Sequence, residues 1–234
     1  VGYFADERGL IVRKPASILD ERSAFSVGQD LRSHIVMVSA RSEADRADAP
    51  PFRFRQWLFG YAGDLDPLGR LQPTVAPKLP SFVQSSLGDG HGGRLAHAMF
   101  LTELHRAGLL EDPLADAGEM GAALGRTAEA LSRLAPEAGV SEVQASFVAS
   151  NGRVMVVTRA GRPLFMREVR GLERLPDGPV DETLHDFKRI AAALRRFRAQ
   201  VVTSDVDAER AGTWRRLEPQ GTTVVEANLD VRHL

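Results

Sequence analysis

Three short stretches of this chain carry residues that could do chemistry. In Arg55-Gln-Trp-Leu-Phe-Gly-Tyr-Ala-Gly-Asp-Leu65 an apolar strand pattern runs into a small-residue turn and an acid, which is how a strand delivers backbone amides to a site. Arg41 closes the run His34-Ile-Val-Met-Val-Ser-Ala-Arg41. There a guanidinium fork can donate two parallel bonds to a carboxylate substrate, or pair with a nearby acid of the chain. Gly88-Asp-Gly-His-Gly-Gly93 stands ahead of a helical pattern, where glycines can cradle an anion on N-terminal amides. It lacks the Lys-Ser/Thr ending of a phosphate loop. Asp89 and His91 make only two ligands of a metal site, so no metal is expected and the stretch reads as a solvent-facing loop.

Other chemistry is excluded outright. The 234 residues contain no cysteine, which removes disulfides, thiolate metal sites and a cysteine nucleophile within them. Gly-x-Ser-x-Gly is absent and no Ser-His-Asp arrangement shows in the spacing. Thirty basic against thirty-one acidic residues leave a net charge of −1, so neither nucleic acid nor an anionic membrane is an expected partner. Apolar runs are too short to cross a bilayer and no leader pattern opens the chain, so the expected place is the cytoplasm. No cofactor is implied. The chain begins at Val1 without an initiator methionine, which predicts a further N-terminal segment.

The elements that must position these residues follow from periodicity. Val1–Phe4 and Gly9–Lys14 form a hairpin, residues 15–33 a polar helix, and His34–Arg41 a strand covered on both faces. The strand at 55–61 follows Pro50-Pro51, and the proline-marked loop 66–80 can hold no long regular element. Helices are predicted from about Arg94 to Ala107, on Leu95, Ala98, Met99, Leu101 and Leu104, and from about Ala115 to Leu134. His97 and His105, eight apart on the first, read as packing or surface residues. A strand meander spans 143–169 with an Asn151-Gly152 turn, then a basic helix over 181–198 and a closing hairpin at 221–232. In that helix Lys188, Arg189, Arg195, Arg196 and Arg198 form a solvated face. This order argues for α+β layers, not a doubly wound parallel sheet.

The order and motifs resemble the class II glutamine amidotransferases of the N-terminal-nucleophile hydrolase superfamily, over nearly the whole chain. Val1-Gly-Tyr-Phe4 looks like the strand after that family's Gly-Trp-Gly turn, and Thr213–Pro219 with its hairpin looks like the family's ending. The family's His-x-Arg, whose arginine grips the glutamine carboxylate, is similar to Ser39-Ala40-Arg41. Its His-Pro-Phe is similar to Pro50-Pro51-Phe52. Its oxyanion motif His-Asn-Gly corresponds to Tyr61-Ala62-Gly63, so a methyl replaces an amide donor whose loss typically costs about a hundred- to a thousandfold in turnover. Its Gly-Asp-Thr-Asp-Ser-Glu segment, whose second aspartate binds the substrate ammonium, corresponds to Gly88–Gly93 with His91 in that aspartate's place.

The resemblance therefore implies a four-layer αββα sandwich of the N-terminal-nucleophile kind, formed as one domain over 1–234 without the family's N-terminal segment. It puts substrate-binding positions at Arg41, Phe52 and His91, and degenerate oxyanion positions at Tyr61, Ala62 and Gly63. It implies a protein impaired or inert as an amidase, kept for binding or for assembly with a protein partner such as a synthase subunit. Two alternatives stand beside it. One is an active amidohydrolase that releases ammonia from glutamine with a cysteine upstream of Val1, and the other is a protein that binds a small carboxylate or amino acid through Arg41.

Overall fold

The computed structural model describes residues 1–5, 8–13, 33–39, 49–88, 90–171, 187–204, 213–219 and 221–234. Arg41, Asp89, residues 181–186 of the expected basic helix and all but the last residue of the helix expected over 15–33 lie outside them. The chain divides into two compact units, Val1–Arg162 with Glu218–Leu234, and Pro163–Leu217.

In chain order the first unit holds strands β1 (Gly2–Ala5), β2 (Arg8–Ile11), β3 (Val36–Met37), β4 (Phe52–Phe54) and β5 (Trp57–Gly63). Helices α1 (Gly92–Arg106) and α2 (Ala117–Leu134) follow, then β6 (Ala145–Ser150) and β7 (Met155–Ala160). The second unit contributes β8 (Phe165–Arg170), α3 (Phe187–Arg196), β9 (Arg198–Thr203) and β10 (Arg215–Arg216). The chain then returns to the first unit as β11 (Thr222–Val225) and β12 (Val231–His233).

Six strands make the large sheet, in the order β12-β11-β7-β6-β5-β4, every neighbour antiparallel. Alternation along β5 sends Trp57, Phe59 and Tyr61 to one face and Leu58 to the other. The first face takes α1 and α2, with Phe59 stacked on Phe100 and Phe147 and the Trp57 indole donating to the Leu110 carbonyl at 2.8 Å. On the second, Leu58 packs with Phe4 and Met37 of the small sheet β2-β1-β3. The first unit is thus a mixed α/β body of sheet on sheet with helices on one side.

Two of the predicted helices, α1 and α2, start within two residues of their expected positions. Asp116 begins α2 by accepting from the Glu119 amide at 3.0 Å, which satisfies one of the orphan N–H groups of the first turn. Glu103 ties the two helices together, accepting from Arg106 at 2.7 Å and Arg126 at 2.8 Å. Burial pushes that carboxyl up, but the two arginine bonds outweigh it and hold it below the usual glutamate range.

Three expectations need correction. The described part of the run, 34–39, is not a strand covered on both faces: among the described residues only Val36 and Met37 form ladder bonds, to β1, and Val38 is 74% exposed. It lies beside a single strand, so only the Met37 side finds a covering layer. The strands of 143–169 do not form one meander. β8 pairs instead with β9 and β10, and β11 takes the place beside β7, where the Thr158 and Thr222 hydroxyls meet at 2.8 Å. Pro163, just after the turn, has no N–H to extend the ladder. Finally, the basic helix stops at Arg196 and Arg198 already belongs to β9.

The loop 66–80 holds no long element, as expected, yet the segment 65–84 that contains it packs as a chain of short helical turns. Its Leu65, Leu68, Leu71, Val75, Leu79 and Val83 enter the main core. Covered by this segment as well as by the sheet and α2, α1 buries most of its circumference, including Phe100, Leu101 and Thr102.

These assignments predict a contrast measurable by urea unfolding. Leu101→Ala lowers stability by about 2–5 kcal/mol through the cavity it leaves, and Val38→Ala changes it by less than about 0.5 kcal/mol.

Candidate functional site

The end of β5 is where the sequence places a catalytic loop. Ala62 and Gly63 pair with Ser146 and Ala145 of β6 and are both half-buried. Gly63 has a φ of 121°, and a side chain there would collide with the Gln144 carbonyl oxygen. Its retention therefore has a steric reason independent of any reaction. Ala62 lies on the small-sheet face of β5 by alternation, and Tyr61 lies on the helix face.

Tyr61 leads to the start of α1. A Cβ at Gly93 would collide with the hydroxyl end of the Tyr61 ring, and one at Gly92 would overlap the Leu65 carbonyl oxygen. These two glycines let a tyrosine ring and a loop carbonyl press against the first turn. They work as packing glycines, not as a cradle open to an anion. His91 occupies the N-cap position of α1, half-buried, with no side-chain capping bond to the helix. The structure thus gathers Tyr61 and His91 at one helix start and stacks Phe52 on Tyr61 with ring centroids 6.3 Å apart. It sends the Ala62 methyl to the opposite face of the sheet. Asp89 lies outside the described residues, and among those described no cluster of three or more acids or histidines could hold a metal.

Phe52 belongs to a second arrangement that the sequence did not reveal. His97, one turn along α1 from Gly93, packs on two cross-strand neighbours: Phe52 and Phe59 each stack on it with centroids 5.5 Å away. It is 3% exposed and its Nε2 has no hydrogen-bond partner. Burial, with help from the Arg94 charge, lowers its pKa to about 3, so the imidazole is neutral at physiological pH. Phe52, His97 and Arg94 line a cleft of about 360 Å³ together with Ile11, Arg13, Arg53 and Ser86. The Arg94 guanidinium sits over the Phe52 ring, 5.4 Å from its centroid. His105, by contrast, is an exposed residue edge-on to Phe82.

No local motif announces this cleft, because its residues come from β2 and the residues after it, β4, the loop before α1 and α1 itself. The legible signal was weak: an aromatic frame at Pro50-Pro51-Phe52 and a histidine on the apolar side of a helix.

The buried imidazole makes a prediction about acid stability. The folded state refuses a proton until about pH 3 while the unfolded chain binds one below about 6.5. Stability is therefore complete above the unfolded value and is lost as pH falls through that window, by up to about 1.4 kcal/mol per pH unit. His97→Phe, which keeps a ring against Phe52 and Phe59, flattens this loss in urea unfolding followed from pH 7 to 4. Parallel curves for the two proteins would contradict the assignment.

Comparison with known proteins comes down to the fold. No protein-family model and no curated protein sequence matches the chain. Among solved structures it is similar to a glutamine aminotransferase class-II domain protein from Silicibacter pomeroyi, at 15% sequence identity and a TM-score of 0.64. The likeness covers 100% of this chain and 88% of the other. The chain is therefore built on the fold of a class II glutamine aminotransferase domain protein.

Proposed function

We propose that this chain is a class II glutamine amidotransferase-like domain, a four-layer αββα sandwich in which glutamine hydrolysis is impaired or lost. In this reading the domain is retained in the cytoplasm for binding or for assembly with a partner such as a synthase subunit. One observation supports the reading: the helix start is closed, with Tyr61 packed on Gly93, and its N-cap, where the acid for the substrate ammonium is expected, is His91. A carboxylate-bearing side chain at 93 would collide with that ring. With His91 before it and a methyl at Ala62 on the strand, the groups for holding an ammonium ion and polarising an amide carbonyl are replaced by groups that do neither.

The replacement is concerted, which supports loss of chemistry over drift at single positions. The tyrosine at 61 fills the space that the glycine at 93 opens, so reverting either partner alone leaves a clash or a void. The carboxylate-binding alternative rests on Arg41, which lies outside the described residues.

Purified protein with its authentic N-terminus is expected to release no ammonia from glutamine above the uncatalysed rate. Turnover abolished by thiol alkylation would establish the active alternative with an upstream cysteine. Ala62→Asn in the chain as given, which has no cysteine, is expected to confer no turnover either. At the helix start, Gly93→Ala is expected to cost about 1–3 kcal/mol in urea unfolding through overpacking against Tyr61. If Gly93→Ala proves neutral, the closure described here is not a constraint.

A further inference from the structure

We propose that β3 is the seam of a twofold dimer, in which the outer edge of residues 36–38 pairs antiparallel with the same edge of a second copy and joins two small sheets into one.

The direction of the peptide groups is the first argument. Val1 exchanges both of its backbone bonds with Val12 at 2.8 Å, and the Phe4 amide donates to Ser33 Oγ at 3.0 Å. Successive residues of a strand point their N–H and C=O to opposite sides, so Val1 and Tyr3 face β2 while Gly2 and Phe4 face β3. Gly2 stands opposite Met37. Met37 therefore turns its peptide groups toward β1, and Val36 and Val38 turn theirs outward. Among the described residues no hydrogen bond reaches those outward groups.

Exposure is the second. Alternation puts both valine side chains on the face of the small sheet opposite Met37, which is buried with Phe4 and Leu58. Val38 is the most exposed large hydrophobic residue described, at 74%, and Val36 is 44% exposed.

The third argument is missing protection. An open edge invites another strand unless a charge or a proline blunts it. The edge strands of the three sheets are β2 and β3, β10 and β9, and β12 and β4. Arg8 lies on β2, Arg215 and Arg216 on β10, Arg198 on β9, Arg232 on β12 and Arg53 on β4. β3 carries neither a charge nor a proline. From 35 to 39 the chain reads Ile-Val-Met-Val-Ser, so no like charges meet when the edge faces its own copy.

These features also select the occupant. With the twofold axis at Met37, position 36 of one copy meets position 38 of the other, and each Val36 exchanges its outward N–H and C=O with Val38 of the second copy. The valine side chains of both copies then cover one another on a single face. A shift of one residue would set outward groups against groups already bonded to β1. The seam is short, so the dimer is weak, with a Kd on the order of 10 μM. It uses none of the residues of the amidase reading and stands whether or not glutamine is hydrolysed.

The test is light scattering of the whole protein on a sizing column, loaded at about 1 to about 500 μM. The mass is expected to rise from one protomer to two, equally at low and high salt because the seam is uncharged. Val38→Lys puts a charge into the apolar seam and should hold the protein monomeric at every concentration, with its unfolding midpoint in dilute solution unchanged. Disulfide trapping reads the register, since the 234 residues contain no cysteine. A mixture of Val36→Cys and Val38→Cys chains should cross-link faster on oxidation than either chain alone. A mass of one protomer at all concentrations would overturn the proposal, as would a dimer that survives Val38→Lys. Slow amide exchange at Val36 and Val38 in the monomer would overturn it too, by giving the edge to another segment of the protein's own chain.

Discussion

The first turn of α1 is fixed by contacts that leave no room for side chains. The carbonyl of Leu65 reaches the backbone at Gly92, and the Tyr61 ring lies on Gly93. Everything of functional interest is measured from this junction. It sets the depth of α1 on the large sheet, and with it the place of His97 one turn later against Phe52 and Phe59. It puts Arg94 beside the Phe52 ring and decides what the end of β5 can face. Backbone against backbone is also the least adjustable kind of packing, because there is no rotamer to change.

In the proposed reading, that junction links the residues at 61, 92 and 93. A tyrosine at 61 is compatible only with a minimal residue at 93, and a carbonyl pressed on 92 forbids a side chain there as well. A helix start so closed cannot also present a serine hydroxyl and a glutamate carboxylate. One turn onward the same helix meets a cleft whose charged lining residues are arginines and whose histidine is neutral.

Much of the scaffold could be read from the sequence because its signals are local. The helices α1 and α2 follow from leucines and alanines at three- and four-residue spacing, and β5 from its apolar run into Ala62-Gly63. His97 was expected only as a packing or a surface residue, and it is the first. The edge character of β3 was not, because an apolar run such as Ile35–Val38 does not say how many layers exist to cover it. Nor was the role of 65–84. Pro67, Pro73 and Pro77 read as breakers, yet each stands in the first turn of a short helical element, where a missing N–H costs nothing. The arginine cleft was least legible, since Arg13, Arg53 and Arg94 are forty or more positions apart and converge only through sheet pairing and the seat of α1.

The central claim is that this fold no longer engages glutamine as a substrate. Its most direct test is intact-mass analysis of the protein, with its authentic N-terminus, after incubation with an electrophilic glutamine analogue that alkylates the nucleophile of working glutaminases. Unchanged mass is the predicted result. A stoichiometric adduct at the N-terminal residue, prevented by excess glutamine, would contradict the claim.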